Sequence, residues 1–173
     1  MIDGCILNHR KAQEQLYRQF YESMMCLCLR YTRNQEDALE ILQDGFLKVF
    51  KNIAQYDAIR AELYTWIRTI MIHAAIDFIR HKARFVPPVL LDTIPETDIN
   101  NEVLQKLETQ ELLKLIRLLS PATQTIFNLY VIEGYNHREI AAIVGISEGT
   151  SKWHLSEARK QLKQFIQIQR SKV

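Results

Sequence analysis

Residues 136–162 read NHREIAAIVGISEGTSKWHLSEARKQL, and this stretch decides the fold of the second half of the chain. Its first four residues, Asn-x-x-Glu, are spaced as in a capping box, which predicts a short helix over 137–144. Gly145-Ile146-Ser147 predicts a tight turn, because glycine adopts a positive φ without strain and serine caps the next helix, expected over about 148–168. Two short helices joined by a glycine-containing turn are typical of a helix-turn-helix.

The two helices are expected to cross closely at the small residue Ala141. The predicted shared core consists of Ile140, Val144, Ile146, Leu155 and Leu162. The predicted outward face of the second helix carries Ser151, Lys152, Trp153, Ser156, Glu157, Arg159, Lys160 and Lys163. The N-terminal part of such a helix enters the major groove, where Lys152 and Lys160 suit phosphates or guanine edges and Glu157 accepts a hydrogen bond from cytosine N4. The alternative is a helical hairpin with a solvated basic face.

Charge is distributed unevenly along the 173 residues, whose net charge is only +2. Residues 137–173 carry 7 Lys and Arg against 3 Asp and Glu, whereas residues 85–106 carry 1 against 4. A basic cluster of this kind is an electrostatic footprint for a polyanion. The three cysteines, Cys5, Cys26 and Cys28, match no zinc-ligand spacing, so we expect reduced thiols, a cytoplasmic location and no metal or other cofactor. No apolar run approaches the ~20 residues that a membrane span needs.

The first half of the chain has the three-to-four-residue apolar spacing of helices. The first stripe consists of Leu16, Phe20, Met24, Leu27 and Tyr31. Asn34 is expected to cap a second helix that runs to about Ile53. The stripe of that helix consists of Ala38, Ile41, Leu42, Gly45, Val49 and Ile53. A loop over 52–61 is expected to precede a further helix over about 62–82. The apolar face of that helix consists of Ile67, Ile70, Met71, Ala74 and Phe78.

A proline-containing segment separates the two halves of the chain. Three prolines lie within 87–95, and proline resists helix continuation because its ring fixes φ and it lacks an N–H. We therefore predict a linker over 85–104 between one domain over 1–84 and another over 105–173.

The second half is also predicted to be helical. Its first helix runs through Leu112, Leu115, Ile116 and Leu119. Ser120-Pro121 then restarts the chain as an N-cap followed by proline at the first helical position, and this helix is expected to stop near Gly134. The sequence thus predicts an all-α chain of two small helical domains joined by a Pro-containing linker, with the helix-turn-helix in the C-terminal domain.

Residues 119–162 resemble the C-terminal domain of the sigma-70 family of bacterial RNA polymerase sigma factors, and the extracytoplasmic-function (ECF) group in particular. Two parts of the first half resemble the same family. Residues 36–46, EDALEILQDGF, are similar to the sigma helix that binds core polymerase. The stretches WIRTI (66–70) and DFIR (77–80) are similar to the ECF element that meets the promoter −10 region. The resemblance covers about residues 10–165, with its motifs in family order.

The resemblance implies a role for each matching position. Binding to core RNA polymerase is implied for Glu40, Gln43 and Asp44. Contact with the −10 element and help in opening the duplex are implied for Trp66, Arg68, Thr69, His73, Asp77 and Arg80. A place at the −35 element is implied for Lys152, Trp153, Ser156 and Glu157, with backbone contacts there for Arg138, Thr150, Arg159 and Lys160. The implied function is promoter recognition and DNA opening at transcription initiation, with core RNA polymerase, promoter DNA and an anti-sigma factor as partners.

The chemistry of the implied −10 residues agrees with DNA opening, because aromatic faces and basic side chains hold unstacked bases. Burial of Trp66 in the core is the alternative, and a surface pair between His73 and Asp77 is the alternative for that histidine. The chain also departs from the family. Many ECF proteins have Asn where it has His73, and small or basic residues where it has Trp153 and Glu157, so its −35 sequence should not be copied from other members.

Three other classes of protein remain as alternatives. A helix-turn-helix regulator would bind duplex DNA without polymerase, but the two first-half motifs argue against it. The sequence has no Gly-rich phosphate loop, no metal-ligand cluster and no nucleophile with a partner, so we expect neither an enzyme nor a small-molecule substrate. A helical interaction protein that never touches DNA would have no use for a basic recognition helix.

Overall fold

The computed structural model describes residues 1–85 and 110–170, and within these two ranges every regular element is a helix, as predicted. In chain order the α-helices are α1 (Ile2–Ile6), α2 (Arg10–Leu29), α3 (Gln35–Asn52), α4 (Leu63–Phe85), α5 (Gln110–Arg117), α6 (Pro121–Phe127), α7 (His137–Val144) and α8 (Glu148–Arg170). Residues 1–81 belong to one compact unit, the first unit, and residues 110–170 to another, the second unit. Nearly all of the predicted linker lies outside the described residues. None of the described helices is long and apolar enough to cross a membrane.

An apolar core from α2, α3 and α4 holds the first unit together. Every residue of the predicted stripes of α2 and α3 is buried. Phe46 is 2% exposed and packs against Tyr17, with 4.6 Å between the ring centroids. On α4, Ile70 and Phe78 are only half-buried, although they were predicted to share the core face. The buried side of α4 also includes Ile72, so its centre is rotated away from the predicted stripe.

Local signals set the start of α3, and a close approach sets its packing. Asn34 caps α3 as predicted, because its Oδ1 accepts a hydrogen bond from the Asp37 amide at 2.7 Å. A single 3₁₀ turn over Ile53–Gln55 follows α3, where the sequence predicted a loop. Gly45 lies where α3 meets α4, and a Cβ at that position would overlap the sulfur of Met71. The absence of a side chain at this position therefore lets the two helices approach.

The second unit contains an irregular turn that the sequence did not predict. Ser120 precedes Pro121 at the start of α6, but its hydroxyl donates to Thr123 Oγ1 at 2.9 Å and caps no backbone amide. After α6, a π-helical turn spans Asn128–Ile132, and the Glu133 amide closes it by donating to the Asn128 carbonyl at 2.9 Å. Gly134 then ends the segment with a φ of 80°. The predicted end of the helix near Gly134 is confirmed, but its last turn is π-helical, and apolar spacing does not distinguish an α turn from a π turn.

The buried residues of the two units differ in chemistry. Both units bury large apolar side chains completely, for example Phe46 in the first and Leu129 in the second, but Thr32 is the one buried polar residue among the described positions of the first unit. The second unit buries Thr123, Gln124, Thr125, Asn128 and Ser151. Its core is therefore partly a hydrogen-bonded one, since buried hydroxyl and amide groups need partners.

The three cysteines are free thiols. Cys5 and Cys28 are buried and Cys26 is half-buried. Burial raises the pKa of the Cys28 thiol to about 12, so this group stays protonated and unreactive. Within the described ranges, no group of three or more His, Cys, Asp or Glu side chains is arranged to hold a metal ion.

Candidate nucleic-acid interface

The turn between α7 and α8 has the geometry that the sequence predicts. Asn136 Oδ1 accepts from the Glu139 amide at 3.0 Å, and Glu139 Oε2 accepts from the Asn136 amide at 2.8 Å, so both halves of the capping box form. Gly145 adopts a φ of 75°, and its N–H donates to the Ala141 carbonyl at 2.9 Å. Ser147 Oγ accepts from a first-turn amide of α8 at 3.0 Å. The two helices therefore form a helix-turn-helix.

A partly buried hydrogen bond joins α7 to the inner side of α8. Ser151 is fully buried, and its Oγ lies 2.9 Å from Nδ1 of His137. The prediction that Ser151 faces outward is wrong, because position 151 is in phase with the buried residues Leu155 and Leu162. The His137 ring also stacks on Tyr130, with 4.6 Å between centroids and 26° between planes. Polar and aromatic contacts therefore fix α8 together with apolar packing.

A second histidine joins α8 to α6. His154 Nδ1 lies 3.0 Å from Thr123 Oγ1, which itself accepts from the Ser120 hydroxyl at 2.9 Å. Burial lowers the pKa of His154, which favours the neutral ring, and the tautomer of that ring sets the direction of its hydrogen bond with the Thr123 hydroxyl. The same ring meets Trp153 edge-on, with 4.8 Å between the centroids. The buried Thr123 and the half-buried His154 thus lie behind one exposed indole.

The outer side of α8 is polar and largely exposed. The exposed predicted residues on this helix are Thr150, Lys152, Trp153, Ser156, Arg159 and Lys160, with the indole 60% exposed. Five of the predicted residues recur at helical spacing and share one side of α8, namely Lys152, Trp153, Ser156, Glu157 and Lys160. Glu157 is half-buried, and its Oε1 accepts from Nε2 of Gln161 at 2.8 Å. This side, which we call the recognition face, presents donors, an acceptor and an aromatic ring together.

The other predicted −35 residues lie around the recognition face. Arg138 is exposed in the first turn of α7. Thr150 lies in the first turn of α8, and its hydroxyl is 2.8 Å from Ser147 Oγ. The Arg159 guanidinium lies 6.0 Å from the centroid of the Tyr130 ring. Arg159 therefore stands beside the recognition face and not within it.

The predicted −10 residues lie along α4 with different exposures. His73, Asp77 and Arg80 are exposed, and Trp66, Arg68 and Thr69 are half-buried. Trp66 packs on Tyr56, with 5.6 Å between the ring centroids, and the Tyr56 hydroxyl donates to the Ala61 carbonyl at 3.1 Å. The indole is thus partly exposed to solvent and partly packed against Tyr56.

Asp77 pairs with cations and not with histidine. Its carboxylate lies 3.2 Å from Nζ of Lys48 on α3 and 3.8 Å from the Arg80 guanidinium. In the described part of the chain the His73 ring has no hydrogen bond or ion pair, so the alternative of a surface pair between His73 and Asp77 is wrong. Lys48 also contacts Asp44 at 2.9 Å, and these hydrogen bonds and charges raise the lysine pKa against its partial burial.

The exposed side of α3 carries the residues predicted to bind polymerase. Glu40, Gln43 and Asp44 are all exposed there. The sequence reasoning missed two apolar neighbours on this side, since Leu39 is 37% exposed and Leu47 is 69% exposed. Their four-residue spacing through Gln43 is a signal that they share one side.

The chain matches two family models, one for each unit. The Sigma-70 region 2 model matches residues 16–85, and the Sigma-70, region 4 model matches residues 109–162. The two matches together cover more than half of the chain and occur in the order that the motifs predict.

Curated relatives and solved structures are similar over most of the chain. RNA polymerase sigma factor YlaC of Bacillus subtilis is 28% identical, over 91% of this chain and 93% of YlaC. ECF RNA polymerase sigma factor SigM of Mycobacterium tuberculosis is 25% identical, over 96% of this chain and 83% of SigM. The sigma factor RpoE in complex with the anti-sigma factor NepR from Bartonella quintana has a TM-score of 0.59 at 20% identity, covering 91% of this chain and 98% of that one. CnrH in complex with the cytosolic domain of CnrY has a TM-score of 0.51 at 16% identity, covering 96% and 95%. These structural matches show a shared fold.

Proposed function

Because this chain belongs to the sigma-70 family, in its extracytoplasmic-function group, we infer that it binds core RNA polymerase and directs it to promoters at transcription initiation. The observation that carries this function is the helix-turn-helix of α7 and α8, which exposes a polar recognition face in the same chain that matches region 2. The first unit binds polymerase and the DNA strands that are to be opened, and the second unit binds duplex DNA.

Recognition of the −35 element is assigned to the domain over 105–173. The N-terminal half of α8 enters the major groove, as recognition helices do. The exposed cations Lys152 and Lys160 suit phosphates or guanine edges, and the exposed ring of Trp153 packs on a thymine methyl or a sugar. The backbone contacts outside the recognition face come from Arg138, Thr150 and Arg159. The basic balance of residues 137–173 supports this assignment.

Engagement of the −10 element is assigned to α4, in the domain over 1–84. Trp66 with its Tyr56 partner offers an aromatic surface to an unstacked base, and Arg68 and Arg80 supply positive charge. Thr69, His73 and Asp77 complete the set along the same helix. Binding energy, and not hydrolysis, drives strand opening in this mechanism.

Docking on core polymerase is assigned to the exposed side of α3. Glu40, Gln43 and Asp44 supply polar contacts, and the exposed leucines Leu39 and Leu47 supply apolar area that docking would bury. The linker over 85–104 connects this docking unit to the −35 unit.

An anti-sigma factor is the proposed protein inhibitor, because the similar sigma factor RpoE of Bartonella quintana is in complex with the anti-sigma factor NepR. We expect the protein to act in the cytoplasm, where polymerase and promoter DNA are found. It needs no cofactor or small-molecule substrate in this role and catalyses no reaction of its own.

Run-off transcription tests the proposal. Purified core RNA polymerase is incubated with a library of promoter fragments, with and without this protein. Start-site-specific transcripts that depend on the protein are expected, and they reveal the −35 and −10 sequences together. Absence of transcripts, alongside specific duplex binding by the protein alone, would move the function to a helix-turn-helix regulator that works without polymerase.

Two variants separate the proposed roles. Lys152→Ala is expected to weaken promoter binding, whereas Lys114→Ala, at an exposed lysine of α5 outside the helix-turn-helix, serves as its matched control. Trp66→Ala is expected to spare −35 binding and to impair strand opening, read by permanganate reactivity of unpaired thymines. An unchanged open complex in Trp66→Ala would contradict the role of that indole.

A further inference from the structure

Among the residues that the structure describes, none pairs a positive charge with the carboxylate of Glu157. In the described part of the chain its hydrogen-bond partner is Gln161, whose Nε2 donates to Oε1 at 2.8 Å, and no lysine or arginine pairs with it. It nevertheless lies on the recognition face, one turn from Trp153. An unneutralised carboxylate is repelled by phosphates, so α8 docks favourably only where Glu157 meets a hydrogen-bond donor on a base.

The major groove offers a carboxylate few donors. Guanine presents only the acceptors N7 and O6, and thymine presents an acceptor and a methyl group. Adenine has an amino group, but its N7 acceptor lies beside that group and repels a carboxylate. Cytosine presents its N4 amino group with no acceptor of its own next to it in the groove. Among the four bases, cytosine therefore fits Glu157 best.

We propose that Glu157 selects a cytosine in the −35 element and that Gln161 is the positioning residue that holds its carboxylate for this contact; the inference rests on the −35 assignment proposed above. The Gln161 amide occupies Oε1 and leaves Oε2 free to accept from cytosine N4. The neutral amide of Gln161 orients the carboxylate and leaves its negative charge in place. A lysine at position 161 would neutralise that charge. Recognition of cytosine is thus built from two side chains one helical turn apart.

The test uses holoenzyme made with the full chain and a promoter library randomised across the −35 element. The unaltered protein is expected to prefer cytosine at one position by about tenfold. Glu157→Gln is expected to move the preference at that position from cytosine to adenine, because a carboxamide pairs with both N6 and N7 of adenine. Preferences at the other −35 positions are expected to stay as they are.

The role of Gln161 is tested with a matched pair of variants. Gln161→Leu is expected to keep cytosine as the best base but to reduce the preference severalfold at that position alone, with an unchanged unfolding temperature. Gln164→Leu makes the same change at an exposed position of α8 and should leave the whole profile unchanged. A merely structural role for Gln161 would lower activity on all sequences alike.

The outcomes separate this inference from the proposed function. Promoter-dependent transcription without a cytosine preference at any −35 position, or an unchanged profile in Glu157→Gln, overturns the Glu157 assignment and leaves the sigma function standing. An unchanged preference in Gln161→Leu overturns the positioning role. If no promoter-dependent transcription occurs at all, the proposed function itself fails, and the inference fails with it.

Discussion

The two units bury different chemistry, although the described parts of both are helical. The first unit packs apolar side chains such as Phe46 around a single described buried polar residue, whereas the second adds to buried residues such as Leu129 the hydrogen bonds of Ser151 and His154. Apolar burial is non-directional, while hydrogen bonds constrain distance and angle. Apolar burial therefore stabilises both units, and in the second unit hydrogen bonds also fix the orientation of a helix.

Orientation matters most where a helix places side chains against base edges. A recognition contact tolerates only about 0.5 Å of misplacement before its geometry degrades. Two histidine contacts, through His137 and His154, tie α8 to two different neighbouring helices. The second unit is therefore built to hold α8 in one position. The predictions below test this difference between the units.

Removal of a large ring from the first core should have the largest effect. Phe46→Ala is expected to destabilise the first unit by about 3–5 kcal/mol, because it leaves a cavity where the ring packed. Hydrogen exchange of the full chain in denaturant measures each unit separately, and the second unit should be unaffected. Leu47→Ala, at a neighbour that is 69% exposed, is the control and should cost under about 0.5 kcal/mol. Equal losses in both variants would mean that burial does not govern this unit.

Removal of one buried hydroxyl from the second unit should lower its stability by less than the loss of the Phe46 ring lowers that of the first unit, and the effect should fall on the packing of α8. Ser151→Ala is expected to destabilise that unit by about 1–3 kcal/mol, because Nδ1 of His137 loses its partner. Denaturant-dependent hydrogen exchange of α7 and α8 measures the loss. Ser156→Ala removes the same group from an exposed position and should leave the stability nearly unchanged. If Ser151→Ala is as stable as the unaltered protein, apolar packing alone holds the helix.

The two glycines next to and within α8 should respond in opposite directions. Gly145→Ala is expected to destabilise the second unit by about 1 kcal/mol, because a Cβ is strained at the φ of 75° there. Gly149→Ala is expected to stabilise it by about 0.5 kcal/mol, since a Cβ there meets only Ser147 Oγ at 3.6 Å. Chemical denaturation of both variants gives the two signs. If Gly149→Ala also destabilised the unit, the first turn of α8 would not tolerate a Cβ at position 149.

Acid should weaken the second unit by the smallest of these effects. Burial lowers the pKa of His154 below its ordinary value of 6.5, so the unfolded chain binds the proton first. The contribution of the neutral ring is therefore fully present above about pH 6.5 and is lost as pH falls through the lowered pKa of the folded state. Unfolding at several pH values, followed by Trp153 fluorescence in a Trp66→Phe background, measures this dependence.

His154→Gln is the control for the pH dependence. A glutamine carbonyl can accept the Thr123 hydroxyl but does not titrate between pH 5 and 8. The variant is expected to flatten the pH profile of the second unit over the acid range. The same slope in both proteins would assign the acid sensitivity to other groups.

The helix-turn-helix is predictable from sequence because its signals are local. The capping residues Asn136 and Glu139 and the turn glycine Gly145 set the bounds of α7, and the predicted and observed bounds of this helix agree. Helical spacing likewise predicts which residues of α2 and α3 are buried. The roles of the candidate site residues remain predictions, because exposure and contacts do not by themselves identify a DNA base or a polymerase surface.

The parts that escape prediction depend on partners distant in sequence. His137 and His154 contact residues 14 and 31 positions away, and no spacing rule relates such pairs. Ser151 is a different case, because its phase with Leu155 signals burial although its polarity suggests exposure. Leu47 shows the opposite mismatch, because its hydrophobicity alone would predict burial, yet its side chain is exposed.

The inner and outer sides of α8 divide the work of one helix. The contacts that hold it against the second unit use Ser151, His154 and Leu155, while the recognition face lies on the other side of the helix. The exposed residues of such a helix can be substituted as a set while the contacts that pack it against the rest of the unit stay intact. In protein engineering, the promoter sequence that the protein prefers can therefore be changed without redesign of the fold. For a lineage, it means that DNA preference can drift while the fold is inherited unchanged.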